Sequence, residues 1–266
     1  MFDATGVYDL HVLLETSAYD DHTGGFSGAN VYHLPDLAAY LKVARLGAAS
    51  DLRLEKKVLD WLAGKLDVPK AIALQLVDDV EYLLTSAVDC EPASKLVSSD
   101  DVTSEIAEKF LIAAAHEIRR MHEIDIESCP LDQRLDAKLE AARKNIQNKL
   151  LSETDAEFAQ EHGGKLPEHV YRELIAARPD TEDLVFTHGD LCLPNIMVRD
   201  GSISGFVDMA GAGVGDRYTD IAIFFRSFRQ NCGIEIELES IFCETYGLEI
   251  PDRRKLEFYT LLDDLF

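Results

Sequence analysis

The stretch His188-Gly189-Asp190-Leu191-Cys192-Leu193-Pro194-Asn195, continued by Ile196-Met197-Val198-Arg199-Asp200-Gly201-Ser202-Ile203-Ser204-Gly205-Phe206-Val207-Asp208, is the most informative segment of this chain. Asp200-Gly201 is a strong two-residue hairpin signal, because both positions tolerate positive φ and β-favouring runs flank them. With those two residues as the turn, Val198 pairs with Ile203 and Ile196 with Gly205. Asn195 then faces Phe206, and Asp208 lies one diagonal step beyond, about 7–8 Å across the ladder. The hairpin thus delivers an amide and a carboxylate to its open end, with Asp190 on the loop just before.

One carboxylate and one amide oxygen, completed by water and phosphate, suit Mg²⁺. A second carboxylate outside the metal shell suits a base or orienter for an attacking hydroxyl. The spacing D-x-x-x-x-N with a downstream Asp is the pattern that kinase-type phosphoryl transfer uses. Any one of these residues could merely cap a turn or end a strand; their order argues for chemistry. The metal expectation is Asn195 and Asp208, the catalytic expectation Asp190.

Upstream, three further signals occur in the order such a site needs. Thr23-Gly24-Gly25-Phe26-Ser27-Gly28 supplies a glycine-rich loop, short of a full G-x-G-x-x-G and by itself an ordinary turn. Lys42 lies in the apolar run Tyr40-Leu41-Lys42-Val43, where an uncompensated ammonium is costly to bury; it either points to water or meets a carboxylate. Glu55 has Leu59 and Leu62 at i+4 and i+7, beside the core stripe of its helix, and a Lys42–Glu55 pair would aim the ammonium at nucleotide phosphates. Downstream, Gly211-Ala212-Gly213-Val214-Gly215 imitates a dinucleotide loop. It lacks the strand–loop–helix context with an acidic residue further on, and reads as a mobile loop after Asp208.

Along the 266 residues the first 90 read as β-rich. Val31–Leu34 and Ala39–Val43 flank the turn signal Pro35-Asp36, and Glu81–Ser86 is another strand candidate. Between them a helix is capped by Ser50 or Asp51, carries Leu54, Val58, Trp61 and Leu62, and ends at Gly64. Val88-Asp89-Cys90-Glu91-Pro92 has the breakers of a linker. Residues 91–266 are mainly helical: a stripe at Ile106, Phe110, Ala114 and Met121, and another at Leu135, Leu139, Ala142, Ile146 and Leu150. A helix follows between Pro167 and Pro179, one from Asp216 to Phe228, one from Glu235 to Tyr246, and a last one after Pro251-Asp252. The fold class expected is α+β, bilobal and protein-kinase-like: a small β-rich nucleotide-binding lobe (1–90) and a larger helical catalytic and substrate-binding lobe (91–266).

Composition sets the outer bounds. With 47% hydrophobic and 28% charged residues the chain is that of a globular protein. Its apolar runs, Phe110–Ala115 and Ile221–Phe225, are far too short to span a bilayer. The start Met1-Phe2-Asp3-Ala4 lacks a basic signal-peptide opening, so a cytoplasmic location is expected. Five widely spaced cysteines, with no C-x-x-C, read as reduced thiols rather than a disulfide frame or zinc site. A net charge of −23, from 26 basic and 49 acidic residues, argues against a nucleic-acid partner. It fits either a solvated acidic surface or a site that attracts a polycation.

The chain resembles the 3′-type aminoglycoside phosphotransferases (kanamycin kinase family) over nearly its whole length. The resemblance rests on Phe26-Ser27 before Val31-Tyr32, on Tyr40-Leu41-Lys42, on Glu55-Lys56 leading to Trp61-Leu62, and on Met121-His122-Glu123-Ile124-Asp125. Cys129-Pro130 with Leu135, Leu184-Val185-Phe186 running into His188–Asn195, and Gly205-Phe206-Val207-Asp208 extend it. Asp216-Arg217-Tyr218, Asp220-Ile221-Ala222 and the tail Leu261-Leu262-Asp263-Asp264-Leu265-Phe266 complete it.

That resemblance implies ATP- and Mg²⁺-dependent phosphorylation of the 3′-hydroxyl of kanamycin- and neomycin-type antibiotics, giving resistance. Asp190 would orient and deprotonate the hydroxyl, and Asn195 and Asp208 would hold Mg²⁺. Lys42, held by Glu55, and Ser27 would contact the ATP phosphates. Tyr40 would stack on adenine, with the backbone at Ser86–Val88 reading its edge and Met197 and Val207 lining the pocket. Asp220 would tie down the catalytic loop. Phe266, through a terminal carboxylate, with Asp263 and Asp264, would bind substrate amines. Asp155, Glu157 and Glu161 would form one wall of the substrate site or simply a solvated loop. Some relatives in that family carry a charged residue where Gly211 stands and acidic ones where Gln230 and Asn231 stand, which bears on antibiotic range. A monomer or weak dimer without membrane attachment is expected. The alternative is a kinase of the same fold for a metabolite alcohol or sugar; a nucleotide-binding protein without transfer is the third reading.

Overall fold

The computed structural model describes residues 9–21, 29–47, 51–88, 90–99, 101–151, 158–160, 162–234 and 236–266. Two compact units divide the chain: Met1–Cys90 with Gly205–Ala210, and Glu91–Ser204 with Gly211–Phe266.

The first unit is built on an antiparallel sheet of β1 (Asp20–Asp21), β2 (Asn30–Leu34), β3 (Ala39–Arg45), β4 (Ala71–Val77) and β5 (Val80–Ser86), in the order β1-β2-β3-β5-β4. A short helix α1 (Leu13–Thr16) precedes it. The helix α2 (Leu52–Leu62) starts where the Asp51 side chain accepts from the Arg53 and Leu54 amides, a cap worth about 1 kcal/mol. Strand alternation sorts β3 into two faces. Ala39 and Leu41 join Leu10, Leu13, Leu34 and Leu84 in one cluster, while Ala44 joins Ala29, Leu52 and Leu83 in the other. Lys42 is two residues from Ala44 and pairs in register with Leu83, so it is on the face that α2 covers.

On α2 the buried positions are Leu52, Glu55, Val58, Leu59 and Leu62. Leu54, expected in the apolar stripe, is instead exposed. The inward stripe runs through 52, 55, 59 and 62, which puts Glu55 in the core face itself. Two helical periods thus turn a glutamate towards a strand lysine, and each buried leucine beside it contributes about 1.5–3 kcal/mol.

The second unit contains β6 (Glu91–Pro92), α3 (Ala93–Val97), α4 (Ser104–His122), α5 (Leu135–Asn148), α6 (Pro167–Ala177), β7 (Leu184–Thr187), β8 (Ile196–Arg199), the first three residues of β9 (Ser202–Phe206), β10 (Gly213–Asp216), α7 (Tyr218–Asn231), α8 (Leu238–Tyr246) and α9 (Arg253–Asp263). The run Ile221-Ala222-Ile223-Phe224-Phe225 is apolar all round because α7 is interior: every residue from Tyr218 to Phe225 is buried. Phe110 of α4 and Phe242 of α8 pack around Phe224, Phe225 and Phe228. A second core joins α5, α6, α7 and α9 through Leu139, Leu174, Ala222 and Leu262. Among the described residues no helix is long and apolar enough to cross a membrane.

Four further expectations are corrected. The linker at 88–92 contains β6, whose Glu91 and Pro92 pair with Val198 and Met197. Gly211–Gly215 is no loop beyond its first two residues, since β10 pairs antiparallel with β7 from Gly213↔Thr187 to Asp216↔Leu184. Its glycines admit a neighbouring segment: a Cβ on Gly213 would lie 2.8 Å from the Leu131 carbonyl oxygen, and one on Gly215 3.0 Å from that of Gln133. Leu150 lies beyond the end of α5 and is exposed. Finally, Gly205–Ala210, read with residues 91–266, packs with the first unit. The cause is local: the Phe206 amide donates to the Asp67 carbonyl at 2.9 Å, and a Cβ on Gly205 would sit 2.4 Å from that oxygen.

Candidate active site

In the first unit Lys42 Nζ lies 2.7 Å from Glu55 Oε1 and 2.8 Å from Asp208 Oδ1. The Glu55 side chain is only 3% exposed and that of Lys42 15%, against 38% for Asp208. Burial works to lower the Lys42 ammonium; Glu55 and then Asp208 overcome it and hold the lysine above its ordinary value. Asp208 has φ 60°, a left-handed conformation that a non-glycine residue adopts at some cost and that clusters at functional sites.

Tyr40 is half-buried, its ring 4.8 Å from that of His33 at 30°. Burial, then Asp20 and Cys90, raise its phenol pKa. At the end of β5 the Ser86 and Ala87 amides are already bonded to the carbonyls of Lys70 and Ala38, and the Val88 carbonyl accepts from Cys90. Among the described residues the Val88 amide has no backbone acceptor. Val207 follows Phe206, half-buried in the same unit. Ser27, Asp155, Glu157 and Glu161 lie outside the described residues.

In the second unit the hairpin turns at Asp200 and Gly201, with φ 51° and 76°, the signs a type I′ turn demands. Ser204 Oγ donates to the Met197 carbonyl at 3.2 Å. Asp190 is exposed, and Asn195 Nδ2 donates both to its Oδ2 (3.0 Å) and to its carbonyl (2.9 Å). With the nitrogen so committed, the amide oxygen of Asn195 is directed away from Asp190. The loop is held from behind by Asp220, fully buried on the first turn of α7, whose oxygens accept from the His188 and Gly189 amides at 2.8 and 2.9 Å. Burial opposes ionisation of Asp220. The His122 hydrogen bond first, and the Gly189 amide with it, overcome this and lower its pKa. Gly189 has φ 87°, and a Cβ there would meet the Gly211 carbonyl oxygen at 1.9 Å, so no other residue fits.

Near Asp190 the charges interlock. Arg226 Nη1 donates to Asp264 at 2.8 Å, and Nη2 pairs with Asp263. Burial raises the Asp263 carboxyl, Arg226 and Lys138 pull it down, and Asp190 pushes it up again. Lys138 is buried on α5, with Nζ 3.5 Å from the Gly189 carbonyl and 4.9 Å from the Phe266 ring centre; Phe266 itself is exposed. Burial lowers the Lys138 ammonium, against Asp263, Asp220 and Asp190. Sequence reasoning missed Lys138 and Arg226. Lys138 had a signal, since it falls inside the apolar stripe 135–139–142 of α5, where a lysine needs a reason. Arg226 had none: its partners are 37 and 38 residues away.

The donors expected for Mg²⁺, one carboxylate and one amide oxygen, fit a hard cation that also takes water and phosphate oxygens. Among the described residues no three His, Cys, Asp or Glu side chains cluster as an all-protein metal site.

A family model described as "Phosphotransferase enzyme family" matches residues 21–259. The aminoglycoside 3′-phosphotransferase of Niallia circulans is 36% identical, over 91% of this chain and 90% of that protein. Among solved structures, aminoglycoside-3′-phosphotransferase of type VIII is similar with a TM-score of 0.81 and 27% identity, covering 97% of this chain and 98% of that one. So is APH(3″)-Id from Streptomyces rimosus in complex with ADP and streptomycin, with a TM-score of 0.78 and 26% identity, covering 97% and 99%.

Proposed function

The chain belongs to the phosphotransferase enzyme family, and from that premise we propose that it moves the terminal phosphoryl group of ATP to the 3′-hydroxyl of kanamycin- and neomycin-type aminoglycosides, a reaction that confers resistance. The observation that carries this reading is Asp190. Its carboxylate is exposed, on a loop whose backbone is bonded to a fully buried aspartate. Asp263 interacts electrostatically with Asp190, and Asp264 shares Arg226 with Asp263; both carboxylates suit an amine-rich acceptor.

The roles follow from the chemistry of each group. Asp190 accepts the proton of the acceptor hydroxyl and orients its oxygen. Lys42, oriented by Glu55, binds nucleotide phosphates, and Ser27 closes over them. Tyr40 stacks on adenine and the Val88 amide donates to its edge, with Met197 and Val207 as apolar lining. Asn195 and Asp208 hold Mg²⁺, which when bound neutralises phosphate charge. Asp263 and Asp264 pair with substrate ammonium groups, as do Asp155, Glu157, Glu161 and the main-chain carboxylate of Phe266. Rate enhancement comes from positioning and charge neutralisation rather than covalent chemistry.

Purified protein with ATP, Mg²⁺ and kanamycin is expected to release ADP, and Asp190→Ala to abolish that release while nucleotide binding persists. Antibiotics lacking the 3′-hydroxyl should not be turned over. Turnover by Asp190→Ala at the parental rate would refute the role given to Asp190. The streptomycin-bound relative favours one second reading, transfer to a 3″-hydroxyl, so streptomycin belongs in the same panel. ADP release with streptomycin but not kanamycin would select that reading.

A further inference from the structure

Behind Asp220 the second unit holds a line of buried polar groups that the reaction as described does not use. His122 Nε2 lies 3.0 Å from Asp220 Oδ2, and His122 Nδ1 lies 2.6 Å from the Tyr246 hydroxyl. Arg217 Nη1 donates to the same hydroxyl at 2.9 Å, while its Nε reaches Asp183 Oδ2 at 2.6 Å. His122, Asp220 and Tyr246 are all buried. The line therefore runs from a partly exposed ion pair on the surface to the loop that carries Asp190.

Counting protons along it leaves one arrangement. A guanidinium only donates, so the Tyr246 oxygen accepts from Arg217, and its single proton goes to its other neighbour, His122 Nδ1. Nδ1 is then a bare acceptor, and the proton of the neutral ring sits on Nε2, from where it donates to Asp220. The opposite tautomer would set the Nε2 lone pair against a carboxylate oxygen. A doubly protonated ring would leave the phenol proton without an acceptor among the described residues, in a site where such an orphan costs about 1–3 kcal/mol. One further feature agrees: burial, against Arg217, pushes the Tyr246 phenol up to about 12, so it keeps its proton.

We infer that Tyr246, held by Arg217, is a positioning residue for phosphoryl transfer: it fixes His122 as the Nε2–H tautomer, whose N–H completes the three-donor anchor of Asp220 and so aims Asp190. The inference rests on the reading of Asp190 as the group that handles the acceptor hydroxyl. With only the His188 and Gly189 amides, Asp220 could rotate and carry the loop with it, and a shift of about 1 Å at a reacting group costs about 100-fold.

The full-length enzyme with the substitution Tyr246→Phe should lose about 10-fold or more in kcat, with KM for ATP and for aminoglycoside within about twofold of the parent, since the ring touches neither. Nitrogen-15 spectra of the imidazole should show a bare Nδ1 and a protonated Nε2 at His122 in the parent, and a mixture of tautomers in the variant. His122→Gln, whose amide can donate to Asp220 and accept from Tyr246, should exceed His122→Leu in kcat by about 10-fold. A protonated Nδ1 in the parent, a parental kcat in Tyr246→Phe, or equal rates for His122→Gln and His122→Leu would each overturn the inference. Should Tyr246→Phe not fold, Arg217→Met frees the phenol and should show the same tautomer mixture and a lower kcat; a single Nε2–H tautomer with parental kcat overturns the inference there too. If Asp190→Ala turned over like the parent, the reading of Asp190 would fail, whereas the ring spectra would still decide the tautomer.

Discussion

Replacing Lys42 by Met tests the first unit most directly. The substitution keeps the stem and removes an ammonium 2.7 Å from Glu55 and 2.8 Å from Asp208. The Asp208 arm is more than a third exposed and, screened by solvent, contributes at most about 1 kcal/mol. The Glu55 arm is different, because a carboxylate 3% exposed would stay buried after losing the Lys42 ammonium, a loss of about 3 kcal/mol. The single tryptophan of the chain, Trp61, lies on α2 with Glu55, so urea unfolding followed by its fluorescence reports on this unit. At a slope of about 1–3 kcal/mol per molar urea, the Lys42→Met midpoint should fall by about 1–3 M in metal-free buffer. The Lys42 pKa is raised on folding, so its contribution is complete below the unfolded value of about 10.4 and is lost only as pH rises through the folded one. The loss should therefore be the same at pH 6 and pH 9. Adding Glu55→Leu removes the stranded charge and should restore most of the stability, since an apolar pair replaces a buried ion pair at little cost. It should restore none of the transfer activity. A drop below about 0.5 kcal/mol in Lys42→Met, or a double variant as unstable as the single one, would refute the assignment of the pair as a buried, coupled unit.

Two other substitutions probe different elements. Gly205→Ala drives a methyl to 2.4 Å from the Asp67 carbonyl at φ 151° and should destabilise the first unit by at least about 2 kcal/mol in the same Trp61 assay; a loss under about 0.5 kcal/mol would refute the close approach. Asp263→Asn should raise the aminoglycoside KM by about 10-fold, and leave the ATP KM unchanged, through loss of one carboxylate. Because the Asp263 carboxyl is raised, aminoglycoside affinity in the parent should start to fall on acidification above the ordinary aspartate value of about 3.9. The variant should lack that early limb, and an identical pH profile would show that Asp263 does not bind the substrate charged.

Local features of the site were legible because they depend on neighbours in the chain. Asp200-Gly201 declares its turn through the φ signs it tolerates, and Asp51 and Pro167 mark helix starts by capping chemistry and a preset φ. The Lys42–Glu55 pair could be read from two periods, alternate residues on a strand and every third or fourth on a helix. β10 was not legible, because its glycines look like a loop until Leu131–Gln133 is seen lying against them. Tyr246 and His122 were not either, since 124 residues separate them.

By itself the sequence determined most helices and the strands of the first unit's sheet around Lys42, and the turn that opens the Asn195–Asp208 hairpin, all consequences of backbone preference and hydrophobic periodicity within some twenty residues. The tertiary structure alone decided which buried charges meet. It set Arg226 against Asp263, Lys138 against the Gly189 carbonyl and His122 between Asp220 and Tyr246. Burial makes an isolated charge or proton donor costly whatever its distance along the chain, so such partners are fixed by packing, and packing has no period that a sequence displays.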